Sequence, residues 1–181
     1  MTTPPADGIP PDGKDWTWTL RERCPDCGFE AGGVAREDIA GLVTASTQPW
    51  PAVMGRPGPS ARPDPLTWSP LEYACHVRDV CRIFRERLAL MLGEDAPAFA
   101  NWDQDVTAVE ERYGEQDPAT VGREVVEAGA ALSTAFASVP DDAWGRTGTR
   151  SDGSTFTVLT LGQYGLHDLV HHLWDVGADR P

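Results

Sequence analysis

SPLEYACHVRDVCRIFRERLALMLG, residues 69–93, reads as one long helix and decides the fold class. Ser69 stands where an N-cap belongs, Pro70 at the first helical position and Glu72 three residues after the cap, a set that satisfies the open N–H groups of a first turn. Tyr73, Val77, Val80, Phe84, Leu88 and Met91 then recur at three-to-four spacing and form one apolar stripe. Gly93 stops it. A helix with such a stripe needs partners.

Working outward, three further helical segments supply them. Residues 36–54 begin with a charged turn and place Ile39, Leu42, Val43 and Trp50 at broadly helical spacing, although Pro49 and Pro51 limit a clean continuation. A third helix runs from Asp117 or Pro118 to about Val139, with an interior of small residues that permits close approach. A fourth starts near Thr160 and ends about Gly177. Residues 55–68 are a proline-rich loop, WTWTL at 16–20 alternates like a short strand, and TRSDGSTFTVL suggests a hairpin around Asp152-Gly153. The expectation is an all-α protein, a four-helix bundle with short strand or hairpin additions, formed by one domain over residues 16–181. Residues 1–15, rich in Pro and Gly, are expected to be disordered.

The totals narrow the function. A formal charge of −13, with 14 arginines and a single lysine, Lys14, disfavours a phosphate-backbone partner, and no clustered basic face is visible. No apolar run approaches the ~18–20 residues of a membrane span, and the N-terminal stretch lacks a signal pattern. The reading is a cytoplasmic protein with a small-molecule substrate, no nucleic acid and no membrane, compatible with a homodimer. The Arg, Ala, Gly and Pro bias suggests a GC-rich, actinobacterial source. Cys24 and Cys27, in CPDCG, form half of a zinc-ribbon signature and read as a redox pair, a second metal site or a simple staple.

Three of the four histidines fall within YGLHDLVHHLWDV, residues 164–176. On a helix His167 and His171 are i and i+4, on one flank of the apolar face of Leu166, Leu169, Val170 and Leu173. His172 is turned about 100° from His171, towards Asp168 and Asp175, and reads as a surface residue. His76 borders the interior edge of the 69–93 stripe. If those helices face each other, His76, His167 and His171 supply three imidazoles to a divalent cation and leave a fourth position open for water or substrate. Zn²⁺ leads, with Ni, Fe or Mn also suited to imidazole. Asp79 is a candidate for orienting His76. Trp102 and Asp103, in the long connection after Gly93, and Trp174 are candidates for a pocket wall, set against the ordinary role of such aromatics in a core.

WSPLEYACHVRDV (68–80), NWDQD (101–105) and HDLVHHLWDV (167–176) together make the chain resemble the DinB/YfiT-like superfamily of metal-dependent enzymes, which includes the mycothiol-dependent maleylpyruvate isomerases and related thiol S-transferases. The resemblance spans roughly Cys24 to the end. It implies a DinB-like four-helix bundle and, position by position, His76, His167 and His171 as ligands. Some thiol-dependent members carry Glu where His167 stands, and the isomerase type carries a further C-terminal domain.

The resulting expectation is a divalent-metal-dependent enzyme, a transferase or hydrolase, that activates a mycothiol-type thiol or water for S-transfer, isomerisation or hydrolysis of a small molecule. The alternative is a non-catalytic metal- or ligand-binding protein of a stress response. No catalytic residue beyond the metal ligands is identified.

Overall fold

The computed structural model of the protein describes residue 9 and residues 15–181. Apart from Ile9 and Asp15, the segment expected to be disordered therefore lies outside the described residues. Helix α3, Pro70–Gly93, starts where its cap dictates: Ser69 Oγ accepts from the Glu72 N–H at 3.2 Å, and Glu72 Oε2 accepts from the Ser69 N–H at 2.7 Å. Val77, Val80, Phe84, Leu88 and Met91 are buried as the stripe requires. The buried face is wider than that stripe, taking in Leu71, Cys75, His76 and Arg78, because α3 is wedged between two long helices.

Those neighbours are α5, Pro118–Ala137, and α6, Val158–Asp175. Helix α1, Arg36–Thr47, also packs on both, so the four long helices close a bundle in which α1 and α3 occupy opposite corners. The expected helix over 36–54 is interrupted: Gln48 and Pro49 separate α1 from a short α2, Trp50–Met54, which leans on α5. The small residues of α5 serve close approach. A Cβ at Gly129 would lie 2.3 Å from Thr47 Oγ1, so any side chain there would hold α1 and α5 apart.

The additions to the bundle are richer than a hairpin. Strand β1, Ala98–Phe99, pairs parallel with β2, Thr147–Arg150, which pairs antiparallel with β3, Thr155–Thr157. Gly153, at φ +91°, makes the β2–β3 turn that Asp152-Gly153 suggests. A short helix α4, Gln104–Glu110, breaks the long connection, with the Asp103 carboxylate accepting from the N–H groups of Asp105 and Val106. WTWTL is not a strand but a 3-10 turn, Thr17–Leu20. Local bonds decide this: the Thr17 N–H donates to Asp15 and the Thr19 hydroxyl to the Trp16 carbonyl, both at 2.8 Å. This turn and a second one, Ala31–Gly33, lie against α6. The protein is thus mostly helical with a small three-stranded sheet. No helix among the described residues is long and apolar enough to cross a membrane.

Candidate metal centre

Helix α6 carries two interleaved i, i+4 pairs, His167/His171 and Asp168/His172, about 100° apart around its axis. The packing sends them to different neighbours. Asp168 and His172 turn to α3 and meet His76, while His167 and His171 turn to the N-terminal turns and meet Cys24 and Cys27. Within each group the ligand atoms lie within 4.8 Å of one another. The three imidazoles of His76, His167 and His171 are therefore divided between two clusters.

In the first cluster one carboxylate oxygen receives two rings. His76 Nε2 lies 3.3 Å from Asp168 Oδ1, and His172 Nε2 lies 3.4 Å from the same atom. His76 is 1% exposed, yet neither of its ring nitrogens nor Asp168 Oδ1 has a hydrogen-bond partner among the described residues, because the approach is off the line that an N–H···O bond requires. The other nitrogen of His172, Nδ1, is 2.7 Å from Asp175 Oδ2. The Asp175 carboxylate accepts from Nδ1–H and so orients the ring with Nε2 towards Asp168, the arrangement by which carboxylates orient metal-binding histidines. Burial pushes the Asp168 carboxyl up, but His76 and His172 outweigh it and hold the group well below the usual carboxylate range.

In the second cluster Cys24 Sγ is 3.6 Å from His171 Nδ1. Cys24 and Cys27 are buried, His167 is 4% exposed, and His167 Nε2 has no hydrogen-bond partner among the described residues. Burial lowers both imidazoles, His167 to about 4, so each is neutral and offers a lone pair at physiological pH. Burial also pushes the Cys27 thiol up to about 11. Cys75 and Cys81 lie elsewhere, buried in α3, where burial pushes both thiols up to about 12.

Beside both clusters opens a cavity of about 280 Å³, bordered by Trp16, Trp68 and Tyr73 and by Asp168, His171 and His172. Trp102 stacks on His76, ring centroids 5.3 Å apart and planes 8° from parallel, with its indole N–H held by Thr107 Oγ1 at 2.8 Å. Trp174 lies 5.4 Å from the His171 ring and is 42% exposed. Asp103 caps α4 and does not border the cavity. Asp79 does not orient His76; it accepts from Tyr113 Oη at 2.7 Å and from Arg78 and Arg82, a network directed at α5.

The residues overlooked by the sequence reading are Asp168, His172, Trp16, Trp68 and Tyr73. A helical wheel separates the two flanks of α6, but only packing shows that the more polar flank is covered by α3. The available signal was the second i, i+4 pair, Asp168/His172, offset by one residue from the first.

The DinB superfamily model matches residues 59–176, which include α3, α6 and all four histidines. Among solved structures the chain is similar to YfiT from Bacillus subtilis, described as a probable metal-dependent hydrolase with an unusual four-helix bundle topology. The likeness has a TM-score of 0.64 at 16% identity and covers 81% of this chain and 92% of that one. A comparison with curated protein sequences finds none that matches. On the extent of the family match, the chain belongs to the DinB superfamily.

Proposed function

We propose that the chain is a divalent-metal-dependent enzyme whose open centre is formed by His76, Asp168 and His172, acting on a small electrophilic molecule with water or a mycothiol-type thiol as the nucleophile. The observation that carries the reading is the convergence on Asp168 Oδ1 of two imidazole nitrogens, at 3.3 and 3.4 Å, without a hydrogen bond to reconcile His76 with it. A divalent cation among the three groups, taking the place of ring protons, would satisfy both imidazoles and the carboxylate at once. Two His and one carboxylate is a donor set of catalytic zinc and of non-haem iron, and three protein donors leave coordination incomplete. Zn²⁺ is the proposed ion. When bound, it supplies Lewis acidity to a water, thiol or carbonyl held beside it.

The protein's own residues do the rest. Asp175 fixes the His172 tautomer through Nδ1. Trp102 covers one face of His76 and keeps that ring in place. Trp16, Trp68 and Tyr73 present apolar surface to the substrate and limit water. The cavity lies at the small end of ligand pockets. Its described lining includes Asp26, Asp105 and Asp175 but no Lys or Arg, which suits a neutral or cationic substrate. YfiT, described as a probable metal-dependent hydrolase, is consistent with this assignment.

The test is reconstitution of chelator-treated protein with Zn²⁺, Fe²⁺, Ni²⁺ or Mn²⁺, followed by assay against activated esters, amides and epoxides with and without an added thiol. Turnover that requires metal and disappears in Asp168→Asn is the expected result. Its thiol dependence separates S-transfer from hydrolysis. Absence of metal binding by His76, Asp168 and His172 in native protein overturns the proposal.

A further inference from the structure

We propose that Cys24, Cys27, His167 and His171 form a second, closed zinc site that fastens the N-terminal Cys-x-x-Cys turn to α6. The geometry of the donors is the first argument. For a tetrahedral ion with Zn–S near 2.3 Å and Zn–N near 2.05 Å, a sulfur and a nitrogen on the same ion stand about 3.6 Å apart. Cys24 Sγ and His171 Nδ1 are separated by 3.6 Å, and all four donor atoms fall within 4.8 Å of one another. Cys24 and His171 are 147 residues apart in sequence, so no local turn accounts for their meeting.

The turn itself is shaped to present two sulfurs to one point. The Gly28 N–H donates to the Cys24 carbonyl at 2.9 Å, the Cys24 N–H to the Phe29 carbonyl at 3.0 Å, and Gly28 sits at φ +74°, where a side chain would be strained. Arg180 donates to the Cys27 carbonyl and closes the turn from the C-terminal side.

An independent observation points to a ligand. His167 is 96% buried by its 4% exposure, and its Nε2 makes no hydrogen bond among the described residues although it lies with the two sulfurs. Leaving such a nitrogen unmatched is costly. A bound cation removes the cost, since it takes the lone pairs of two neutral imidazoles. Charge also balances. Two thiols lose their protons to solvent as the Zn–S bonds form, and two thiolates with one Zn²⁺ and two imidazoles sum to zero, a state that burial tolerates. Four protein donors complete the coordination, so this site is structural, in contrast to the three-donor centre on the other flank of α6.

The experiment replaces zinc with Co²⁺ in the intact protein under reducing conditions and records its absorption, alongside zinc content by mass spectrometry. The expected result is a thiolate-to-cobalt charge-transfer band with the intense visible bands of tetrahedral cobalt, in wild type and equally in His76→Ala/Asp168→Asn. In Cys24→Ser/Cys27→Ser that band disappears and one equivalent of zinc per chain is lost. Wild-type cobalt protein without the charge-transfer band overturns the proposal, as does a Cys24–Cys27 disulfide in protein kept at a cytosolic glutathione ratio. The wild-type spectrum needs no variant to fold, and the His76→Ala/Asp168→Asn arm separates failure of this site from failure of the open centre.

Discussion

His76 Nε2 and Asp168 Oδ1 stand 3.3 Å apart, one from α3 and one from α6, without forming a hydrogen bond. His76 is buried and Asp168 half-buried. Asp175, which holds the far nitrogen of His172, acts on the same centre at one remove. Asp175→Asn is expected to weaken metal affinity at the open centre by about 10–100-fold, the usual effect of losing a carboxylate behind a histidine ligand. Competition with a chromophoric chelator measures it, and far-ultraviolet circular dichroism should remain that of the wild type.

The contact between α1 and α5 yields a stability prediction. Gly129→Ala places a methyl group 2.3–2.6 Å from Thr47 side-chain atoms, and Thr47 is buried. The helices must separate, at a cost of about 1–3 kcal/mol. Thermal unfolding should show Tm lowered by roughly 3–10 °C.

Acid stability has an identifiable source at the start of α3. Glu72 is 5% exposed; burial pushes its carboxyl up, but Arg62 and the Ser69 hydroxyl and N–H outweigh this and bring it below the ordinary value. A depressed carboxyl stabilises the fold above the unfolded-state value of about 4.3 and loses that contribution as pH falls through its lower folded value. Glu72→Gln should therefore cost about 1–3 kcal/mol near neutrality. The difference from wild type should shrink below pH 4 or so, as denaturant titrations at a series of pH values will show.

Arg87 makes the opposite prediction. It is 7% exposed, lies over the rings of Phe84 and Phe99, and donates weakly to the Ala100 carbonyl at 3.4 Å, with no carboxylate in ion-pair contact among the described residues. Burial lowers its guanidinium to about 10, so the charge is borne at a cost throughout the physiological range. Arg87→Met keeps the stem and removes the charge. Stability measured by denaturant unfolding should stay equal or rise by about 1–2 kcal/mol.

Much of the bundle was legible because its helices announce themselves locally. The Ser69/Glu72 box, the stripe from Val77 to Met91 and the small residues of α5 each act within a few turns, and each is present as read. Helix α4 was not read, although Asp103 is a good cap, since seven residues give too little periodicity to register. WTWTL misled because alternation looks the same in a strand and in a tight turn until hydrogen bonds are assigned, and the Asp15 and Thr19 side chains assign them to the turn. At the site, the expectation grouped His76 with His167 and His171. The wheel correctly separated His172 from His171 but could not say which side of α6 meets α3. Nor does any local pattern foretell that Cys24 reaches His171, because that contact depends on the whole chain folding back on itself.

The alternation of donors along α6 has one more consequence. Because 167 adjoins 168 and 171 adjoins 172, the sulfur-bearing cluster and the carboxylate-bearing cluster share a single spine with no slack between them. On the two proposals above, an ion at one side shifts the affinity of the other through that spine while leaving the other's donor set, and so its cobalt spectrum, unchanged. Calorimetric titration of the two positions should therefore give heats that depend on the order of loading.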